Sequence, residues 1–267
     1  MICAENDILS RLSYNIRKDV LDMTLHAGAN GGHIGGAFSC ADILAVLYGN
    51  VIRKGLDKFI LSKGHVALAH YAVLAECGYF EKEKLLSFED PGSMLTTHEI
   101  LGNLPGLEVT GGSLGYGISI ACGIALARRT NFPESQIYVL VGDGECNEGS
   151  IWEGVMTASK LHLDNVTVIV DQNKLQLDGF SSHVMPINIS KMFEALGWNV
   201  VPVDGHDFVQ LRKAFQCSKK GAPTVIVADT IKGKGIPSIE NREQLHHMRL
   251  SQEDYEKYAQ ELEASYA

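Results

Sequence analysis

The chain has 267 residues, of which 45% are hydrophobic and 27 are glycine, as suits a compact globular protein with many tight turns. Its formal net charge of −9, without an extended run of Lys or Arg, argues against a nucleic-acid-binding surface, which normally carries a basic patch. Six scattered cysteines with no Cys-x-x-Cys pair predict reduced thiols in a cytoplasmic protein, not a disulfide framework or a zinc site.

The N-terminal segment does not have the pattern of a secretory signal, because it is amphipathic and contains acidic residues. The longest apolar run, Ile118 to Ala127, is too short to span a bilayer. We therefore expect no association with a membrane.

The first part of the chain predicts helices around a glycine-rich break. Apolar residues recur at helical spacing at Ile8, Leu12, Ile16, Val20 and Met23. The predicted elements are helix 7–27, a glycine-rich break at 28–36, helix 39–48 with Ser39 as its N-cap, strand 59–62 and helix 67–76. Residues 87–113 lack periodicity and predict a long loop, a feature that is often functional in compact domains.

Beyond this loop, short apolar runs rich in β-branched residues alternate with helical patterns. The predicted elements are helix 114–128, strand 137–141, helix 148–161, strand 166–170, helix 189–196, strand 199–203, helix 208–218, strand 224–229 and a charged surface helix at 252–266. This alternation predicts an α/β fold with a doubly wound, mostly parallel sheet and helices on both faces. Without an internal repeat or a linker, residues 1–267 are interpreted as a single domain.

Two polar residues follow neighbouring predicted strands. Asp143, in Gly142-Asp143-Gly144, comes directly after one strand, and Asn173 follows the next. Strand-helix-strand units bring both strand ends to one edge of the sheet, where ligands bind. Their oxygens suit Mg²⁺, which shares its coordination shell with phosphate oxygens. Taken singly, Asp-Gly is more often a turn and such an Asn a loop cap, so the pair is the informative feature.

The segment GDGECNEGSIWEGVMTASKLHLDNVTVIVDQNK resembles the thiamine diphosphate signature of the transketolase family. Four flanking motifs extend the resemblance over nearly the whole chain: GGHIGGAFSCADILAVLY, DKFILSKGHVALAHYA, PGLEVTGGSLGYGIS and DTIKGKGI. The length matches the pyrophosphate-binding domain only, as in transketolases split into two polypeptides. The resemblance thus implies the thiamine-diphosphate-binding fold, with thiamine diphosphate and Mg²⁺ as cofactors.

The resemblance also implies roles for particular residues. Asp143 and Asn173 would bind Mg²⁺ through side chains and Leu175 through its carbonyl, while the backbone of Gly144 would donate to the diphosphate. The other implied contacts are Gly112 and Leu114 with the aminopyrimidine, Leu177 as an apolar wall of the cofactor site, Asn173 with the cofactor, and Glu148 in a subunit contact.

Four histidines match positions in the family's active site. His65 and His246 would hydrogen-bond the diphosphate or nearby substrate, whereas His33 and His98 would face the reacting hydroxyls and carbonyl. The remaining histidines are interpreted as structural: His26, His70, His162, His183, His206 and His247. Lys232 and Lys234 lie in the DTIKGKGI motif, and we expect both side chains to be solvated.

The chain departs from the family pattern at two histidines. His-Pro-Asp or His-Pro-Glu is replaced by Thr97-His98-Glu99-Ile100, which removes a proline that would fix the local backbone. Trp-His-Gly is replaced by Leu245-His246-His247, so either histidine could fill the late role, and the alignment favours His246. Both changes lie on the substrate side and are compatible with an unusual sugar.

The implied reaction is transfer of a two-carbon ketol unit from a ketose or its phosphate to an aldose or its phosphate. The family's activating glutamate and sugar-phosphate contacts lie in the domains that do not match this chain. We therefore expect activity only with a transketolase C-terminal subunit, in an α₂β₂ assembly. Two alternatives are the α-subunit of a 2-oxoacid dehydrogenase, whose pattern fits these histidine loops poorly, and a noncatalytic cofactor-binding subunit.

Overall fold

The computed structural model describes residues 2–243 and 246–266. Its strands are, in chain order, β1 (Lys58–Leu61), β2 (Ile137–Gly142), β3 (Val166–Gln172), β4 (Leu175–Gln176), β5 (Gly179–Phe180), β6 (Asn199–Asp204) and β7 (Thr224–Asp229). Five of them form a parallel sheet in the order β1-β2-β3-β7-β6, and β4 pairs with β5 in an antiparallel hairpin. The prediction of a mostly parallel sheet is confirmed.

The helices are, in chain order, α1 (Ile2–His26), α2 (Ile34–Val46), α3 (Ala67–Glu76), α4 (Gly117–Asn131), α5 (Gly149–Lys160), α6 (Ser181–Val184), α7 (Ile189–Ala195), α8 (Phe208–Phe215) and α9 (Gln252–Tyr266). A π-helical turn, Leu47–Val51, extends α2, and a 3₁₀ turn spans Lys82–Ser87. The bounds of α3, β7 and α9 are those predicted, and the other predicted elements differ from prediction by one to five residues at one or both ends.

Helices cover both faces of the sheet, because successive strand residues point to opposite sides and both sides are apolar. Leu61, Leu140 and Ile169 pack with α1, α2, α3 and α8 in one buried cluster. Ile60 and Val139 pack with α4, α5 and α7 in a second buried cluster. The predicted doubly wound arrangement is therefore confirmed.

The predicted start of α2 is wrong. The helix begins at Ile34, and Ser39 is buried inside it instead of capping it; its hydroxyl donates to Gly36 O at 3.0 Å and to Asp171 Oδ2 at 2.6 Å. The glycines here predict a break, but Gly36 instead lets the helix pack closely against Val66. A Cβ at Gly36 would lie 3.0 Å from Val66 Cγ1.

The helix predicted from residue 114 begins instead at Gly117. Gly112 and Gly115 have φ values of 119° and 87°, which interrupt a right-handed helix and suit glycine. Within residues 88–116 the structure contains no helix or strand, which confirms the predicted long loop. The β4-β5 hairpin and α6 were not predicted, because each is too short to show a periodicity.

One helical stretch, Ile34–Val51, is long and apolar enough by composition to cross a membrane, and 83% of it is buried inside the protein. It includes α2, which packs against α1, α3 and α8. Its apolar character is thus explained by its position in the core. Cys40, Cys77, Cys122, Cys146 and Cys217 are free thiols.

Candidate functional site

A cavity of about 530 Å³ lies at the edge of the sheet where β2 and β3 end. The residues of the predicted site that line it are His65, Leu114, Asp143, Gly144, Asn173, Leu175, Leu177 and His246. These residues are far apart in the chain and are brought together by the parallel sheet. The cavity is accordingly our candidate active site.

Asp143 lies at the base of this cavity, directly after β2. Its Oδ1 accepts from Gly144 N at 2.9 Å, and its Oδ2 accepts from Lys174 N at 2.9 Å and from Ser181 Oγ at 2.8 Å. Burial raises the pKa of Asp143 above its usual value, although the Ser181 hydrogen bond opposes the shift. A bound cation would favour the ionised carboxylate, so this environment suits a metal ligand.

The side-chain amide of Asn173 is held in one orientation. Its Nδ2 donates to Asp171 Oδ2 at 3.1 Å and to Ser39 Oγ at 3.3 Å, while its Oδ1 accepts from Leu175 N at 3.1 Å. Because Asp171 accepts hydrogen bonds, the amide nitrogen must face it and the oxygen must face the other way. The oxygen is thereby available as a hard ligand beside Asp143.

A buried ion pair that the sequence did not predict supports this arrangement. Lys63 Nζ donates to Asp171, with side-chain exposures of 1% and 0%, and Thr230 also donates to Asp171. Burial alone would raise the pKa of Asp171, but Lys63 lowers it below its usual value. Lys63 belongs to the Ser62-Lys63-Gly64-His65 motif, but its partner Asp171 is 108 residues away, so the motif does not reveal the pair.

Backbone groups at the cavity are held by a second buried carboxylate. Glu145 Oε1 accepts from Gly115 N at 2.8 Å, and Oε2 accepts from Gly142 N at 3.1 Å. At Gly144 a Cβ would lie 2.8 Å from Gln176 Cβ, so only glycine fits between β2 and the hairpin. These contacts leave a glycine-lined wall that a phosphate can approach closely.

Four histidines, His33, His65, His246 and His247, form a cluster with His33 at its centre. Its ring centroid is 5.4 Å from that of His65, 5.3 Å from that of His246 and 4.7 Å from that of His247. Burial, with His246 second, lowers the pKa of His33 to about 3, and burial with Lys232 lowers that of His246 to about 4. These imidazoles are therefore neutral near pH 7 and can each donate and accept a hydrogen bond.

Lys232 is buried, with 2% exposure, so the prediction that it is solvated is wrong. Its Nζ donates to His246 Nδ1 at 3.1 Å, and burial together with Lys63 lowers the pKa of Lys232 to about 8. The loop after β7 folds inward over the cavity, which local sequence does not reveal. Lys234 differs, because its side chain is 38% exposed and lies 3.9 Å from Glu240.

His98 and Gly112 pack together and do not line the cavity, although Gly112 lies against Gly64, between the lining residues Lys63 and His65. A Cβ at Gly112 would be 3.6 Å from Cγ and Cδ2 of the His98 ring. The buried Nδ1 of His98 has no hydrogen-bond partner among the described residues. Such an atom normally has a partner, so His98 is suited to contact a ligand.

Three predicted contact residues lie at the mouth of the cavity. Leu114 is 37% exposed and Leu177 is 70% exposed, and Glu148 is also exposed. Large apolar side chains at a cavity mouth lose contact with water when another molecule covers them. Their positions fit the apolar wall and the subunit contact that the resemblance implies.

The late histidine motif is only partly described, because Leu245 lies outside the described residues. Paired hydrogen bonds between Gly32 and Met248, at 2.8 and 2.9 Å, hold this segment beside His33. His246 lines the cavity, whereas His247 is exposed and does not line it. The geometry favours His246 for the late role.

Two histidines interpreted as structural lie in buried hydrogen-bond networks outside the cavity. His70 contacts Tyr48 and Glu99, and His206 Nδ1 donates to Asp42 Oδ2 at 2.7 Å. Neither lines the cavity. Their positions agree with a structural role.

The residues present fit a metal-bound diphosphate. Among the described residues no cluster of three or more His, Cys, Asp or Glu could hold a metal. The predicted Mg²⁺ ligands are instead one carboxylate, one amide oxygen and one backbone carbonyl. They leave the remaining coordination positions for phosphate oxygens. Lys232 and the glycine-lined wall supply a cation and close backbone approach on the same cavity.

Residues 10–265 match the family described as transketolase, thiamine diphosphate binding domain. The chain is 37% identical over 243 residues to a 6-deoxy-6-sulfo-D-fructose transketolase subunit of Clostridium sp. (strain MSTE9), covering 87% of this chain and 88% of that one. It is 36% identical over 266 residues to one of the subunits of an apulose-4-phosphate transketolase of Actinobacillus succinogenes, covering 96% of each.

A solved transketolase from Campylobacter jejuni superposes with a TM-score of 0.88 at 28% identity. The match covers 97% of this chain and 45% of that one. This chain thus spans less than half the length of the solved transketolase, while it spans most of the two curated subunits.

Proposed function

The chain belongs to the transketolase family, through its thiamine diphosphate binding domain, and from this membership we propose that it is the cofactor-binding subunit of a two-polypeptide transketolase. With its partner it transfers a two-carbon ketol unit from a ketose or ketose phosphate to an aldose or aldose phosphate. Thiamine diphosphate and Mg²⁺ are its cofactors. One observation carries the proposal: a single cavity is lined by Asp143, Asn173 and two histidines, His65 and His246, whose pKa values burial lowers.

On this proposal the base of the cavity binds the charged end of the cofactor. Asp143, Asn173 and the carbonyl of Leu175 would hold Mg²⁺, and Gly144 N would donate to the diphosphate. The buried Lys232 would provide positive charge in a region of low dielectric. Thiamine diphosphate, once bound, would supply the nucleophilic carbon that attacks a ketose carbonyl.

The histidines would act on the sugar. His33 and His246 are neutral near pH 7, so each can donate to a carbonyl oxygen and accept from a hydroxyl. His98 Nδ1 has no partner among the described residues and is available to a substrate group. Imidazoles suit a reaction in which hydroxyl and carbonyl interconvert.

Exposed apolar surface next to the cavity supports the need for a partner. Tyr116, Ile120 and Leu126 on or beside α4 are 55%, 38% and 42% exposed, and Met156 on α5 is 51% exposed. The two helices pack together, and Leu177 is a further exposed apolar side chain, which lines the cavity. A second polypeptide seated here would bury this surface and close the site.

The family match favours this function over a 2-oxoacid dehydrogenase subunit. A noncatalytic cofactor-binding subunit would have the same cavity, so activity must separate it from the proposal. The named relatives act on sulfofructose and on apulose 4-phosphate, which indicates that the donor sugar varies among similar chains.

We predict that the isolated chain has no ketol transferase activity and that activity appears when it is mixed with a polypeptide carrying the pyrimidine-binding and C-terminal domains. The measurement is a coupled assay with thiamine diphosphate, Mg²⁺ and a panel of ketoses and aldoses. The physical reason is that, on this proposal, the partner would supply the groups that activate the cofactor and would close the cavity.

The test variant is Ile120→Asp, and its matched control is Leu86→Asp. Both residues are exposed aliphatic side chains, but Leu86 lies in the 3₁₀ turn away from α4. Ile120→Asp should prevent assembly and activity, whereas Leu86→Asp should leave both intact. Full activity of the isolated chain, or cofactor binding by the complex without turnover of any sugar, would contradict the proposal.

A further inference from the structure

A buried chain of hydrogen bonds lies outside the cavity and links α3 to the long loop. His70 of α3 accepts from or donates to Tyr48 at 2.6 Å through Nε2, and its Nδ1 contacts the Glu99 carboxylate. Tyr48, His70 and Glu99 are 9%, 0% and 1% exposed. A carboxylate so fully buried is rare unless it is paired, and here the pair connects two separate elements.

Tyr48, His70 and Glu99 form one relay, whose donors and acceptors match when His70 is neutral. Burial, more than the neighbouring Tyr79 and Glu99, raises the pKa of Tyr48 well above its usual value, so its hydroxyl keeps its proton. A protonated phenol donates to Nε2, and Nδ1–H of His70 then donates to the Glu99 carboxylate. Phe59 packs edge-on against His70 with a centroid distance of 4.8 Å.

The main chain of Glu99 extends the link towards the cavity. Its carbonyl accepts from Gly111 N at 2.8 Å, and the next residue, Gly112, packs against the His98 ring. Glu99 therefore connects α3, through His70, to two loop stretches, one carrying His98 and the other carrying Gly112.

Position 99 is where the chain departs from a His-Pro pattern. A proline would fix its own φ and restrict the residue before it, which here is His98. The Glu99 N–H donates no hydrogen bond to any described residue, so a proline there would remove none of the described bonds. In this chain the backbone at position 99 is instead held by the contact of the Glu99 side chain with His70.

We propose that Glu99 is a positioning residue, which fixes the backbone of His98 through His70 and Tyr48 and so replaces a local proline by a long-range hydrogen-bond relay. The inference rests on the proposed function, in which His98 faces the reacting groups. Since His98 Nδ1 has no partner among the described residues, the orientation of the ring depends on its backbone and packing.

The test compares Glu99→Ala with the double variant His70→Leu/Glu99→Pro in the enzyme assembled with its partner. Glu99→Ala should lower kcat by about 10- to 100-fold, because a misplacement of about 1 Å can cost about 100-fold in rate. The KM for the donor sugar and the Kd for thiamine diphosphate should each change by less than about twofold. The double variant, with an apolar residue in α3 and a proline in the loop, should recover most of kcat.

A second measurement does not depend on activity. Amide hydrogen exchange at Gly111, whose N–H donates to the Glu99 carbonyl, should be faster by about tenfold or more in Glu99→Ala and slow again in the double variant. Tyr48→Phe removes the far end of the relay only and should have the smallest effect on both measurements.

Unchanged kcat and unchanged Gly111 exchange in Glu99→Ala would overturn the inference. So would a stable double variant that restores Gly111 protection without restoring kcat, since the carboxylate would then act on the reaction in another way. If the assembled wild-type enzyme transfers no ketol unit, the proposed function fails, while Gly111 exchange still decides whether Glu99 holds the loop.

Discussion

Arg17 and Lys232 are both buried cations, with exposures of 0% and 2%, and they lie in opposite kinds of surroundings. Arg17 forms two hydrogen bonds to Asp42, at 2.9 and 2.8 Å, and Asp42 also accepts from His206. We call Arg17, Asp42 and His206 the closed cluster. Lys232 contacts His246 and has no carboxylate within ion-pair distance among the described residues; with His33, His65 and His246 it forms the open cluster.

The pKa shifts show the difference in charge balance. Burial alone would lower the pKa of Arg17, but Asp42 raises it above its usual value. For Asp42, burial is likewise outweighed by Arg17, which lowers its pKa. In the open cluster nothing outweighs burial, and the pKa of Lys232 falls to about 8.

The two buried cations differ in whether the chain itself supplies a counterion. The closed cluster supplies its own counterion and ties α1 to α2, because Arg17 also donates to Phe38 O at 2.8 Å. In the open cluster no carboxylate of the described residues pairs with Lys232, at the edge of the sheet where ligands bind. A bound diphosphate would be a counterion for Lys232, as Asp42 is for Arg17.

The largest expected effect is on stability, in the closed cluster. Asp42→Ala should lower the free energy of unfolding by about 3–5 kcal/mol, because it leaves Arg17 buried without a counterion. Lys232→Met, which removes an uncompensated cation of similar length, should not lower the free energy of unfolding at pH 7. Urea unfolding of both variants measures this, and equal losses in the two would remove the distinction between the clusters.

A smaller effect is expected in the pH dependence of stability. The folded-state pKa of Lys232, about 8, lies below the usual 10.5, so between these values the unfolded state binds more protons and stability rises with pH. Relative to Lys232→Met, the wild type should gain up to about 3 kcal/mol from pH 8 to pH 10.5. Below pH 8 the difference between the two proteins should be constant. A difference that is flat across the whole range would show that Lys232 is not buried as a cation.

The smallest effect concerns whether His246 or His247 contributes to the binding of a diphosphate. His246→Gln should weaken binding of inorganic pyrophosphate with Mg²⁺ about tenfold, because it removes a hydrogen bond that holds the Lys232 ammonium, an interaction of about 1.5–3 kcal/mol. His247→Gln is the matched control and should change binding by less than about twofold. Isothermal titration calorimetry on the full chain measures both. The reverse order would assign the late role to His247.

Much of the fold was predictable because its signals are local. Runs of β-branched residues such as 166–170 indicate buried parallel strands, and their alternation with helical patterns implies the doubly wound sheet. Asp143 and Asn173 were predictable for the same reason, since each directly follows such a run. The start of α2 was not predictable, because its glycines serve helix packing against Val66 and not a turn.

The remaining features depend on contacts that local sequence does not show. Lys63 and Asp171 are 108 residues apart, and His70 and Glu99 are 29 apart, so nothing in either neighbourhood reveals the pair. Likewise, only the folding of the last loop over the cavity buries Lys232 and places His246, with His247 exposed.

The sequence by itself thus determined the sheet, its edge and the positions of Asp143 and Asn173 at that edge, because strand periodicity and strand ends are encoded by adjacent residues. The tertiary structure alone decided which buried charges are neutralised by the chain and which are left for a ligand. The reason is physical: the cost of burying a charge depends on every group that surrounds it in space, and those groups come from distant parts of the chain.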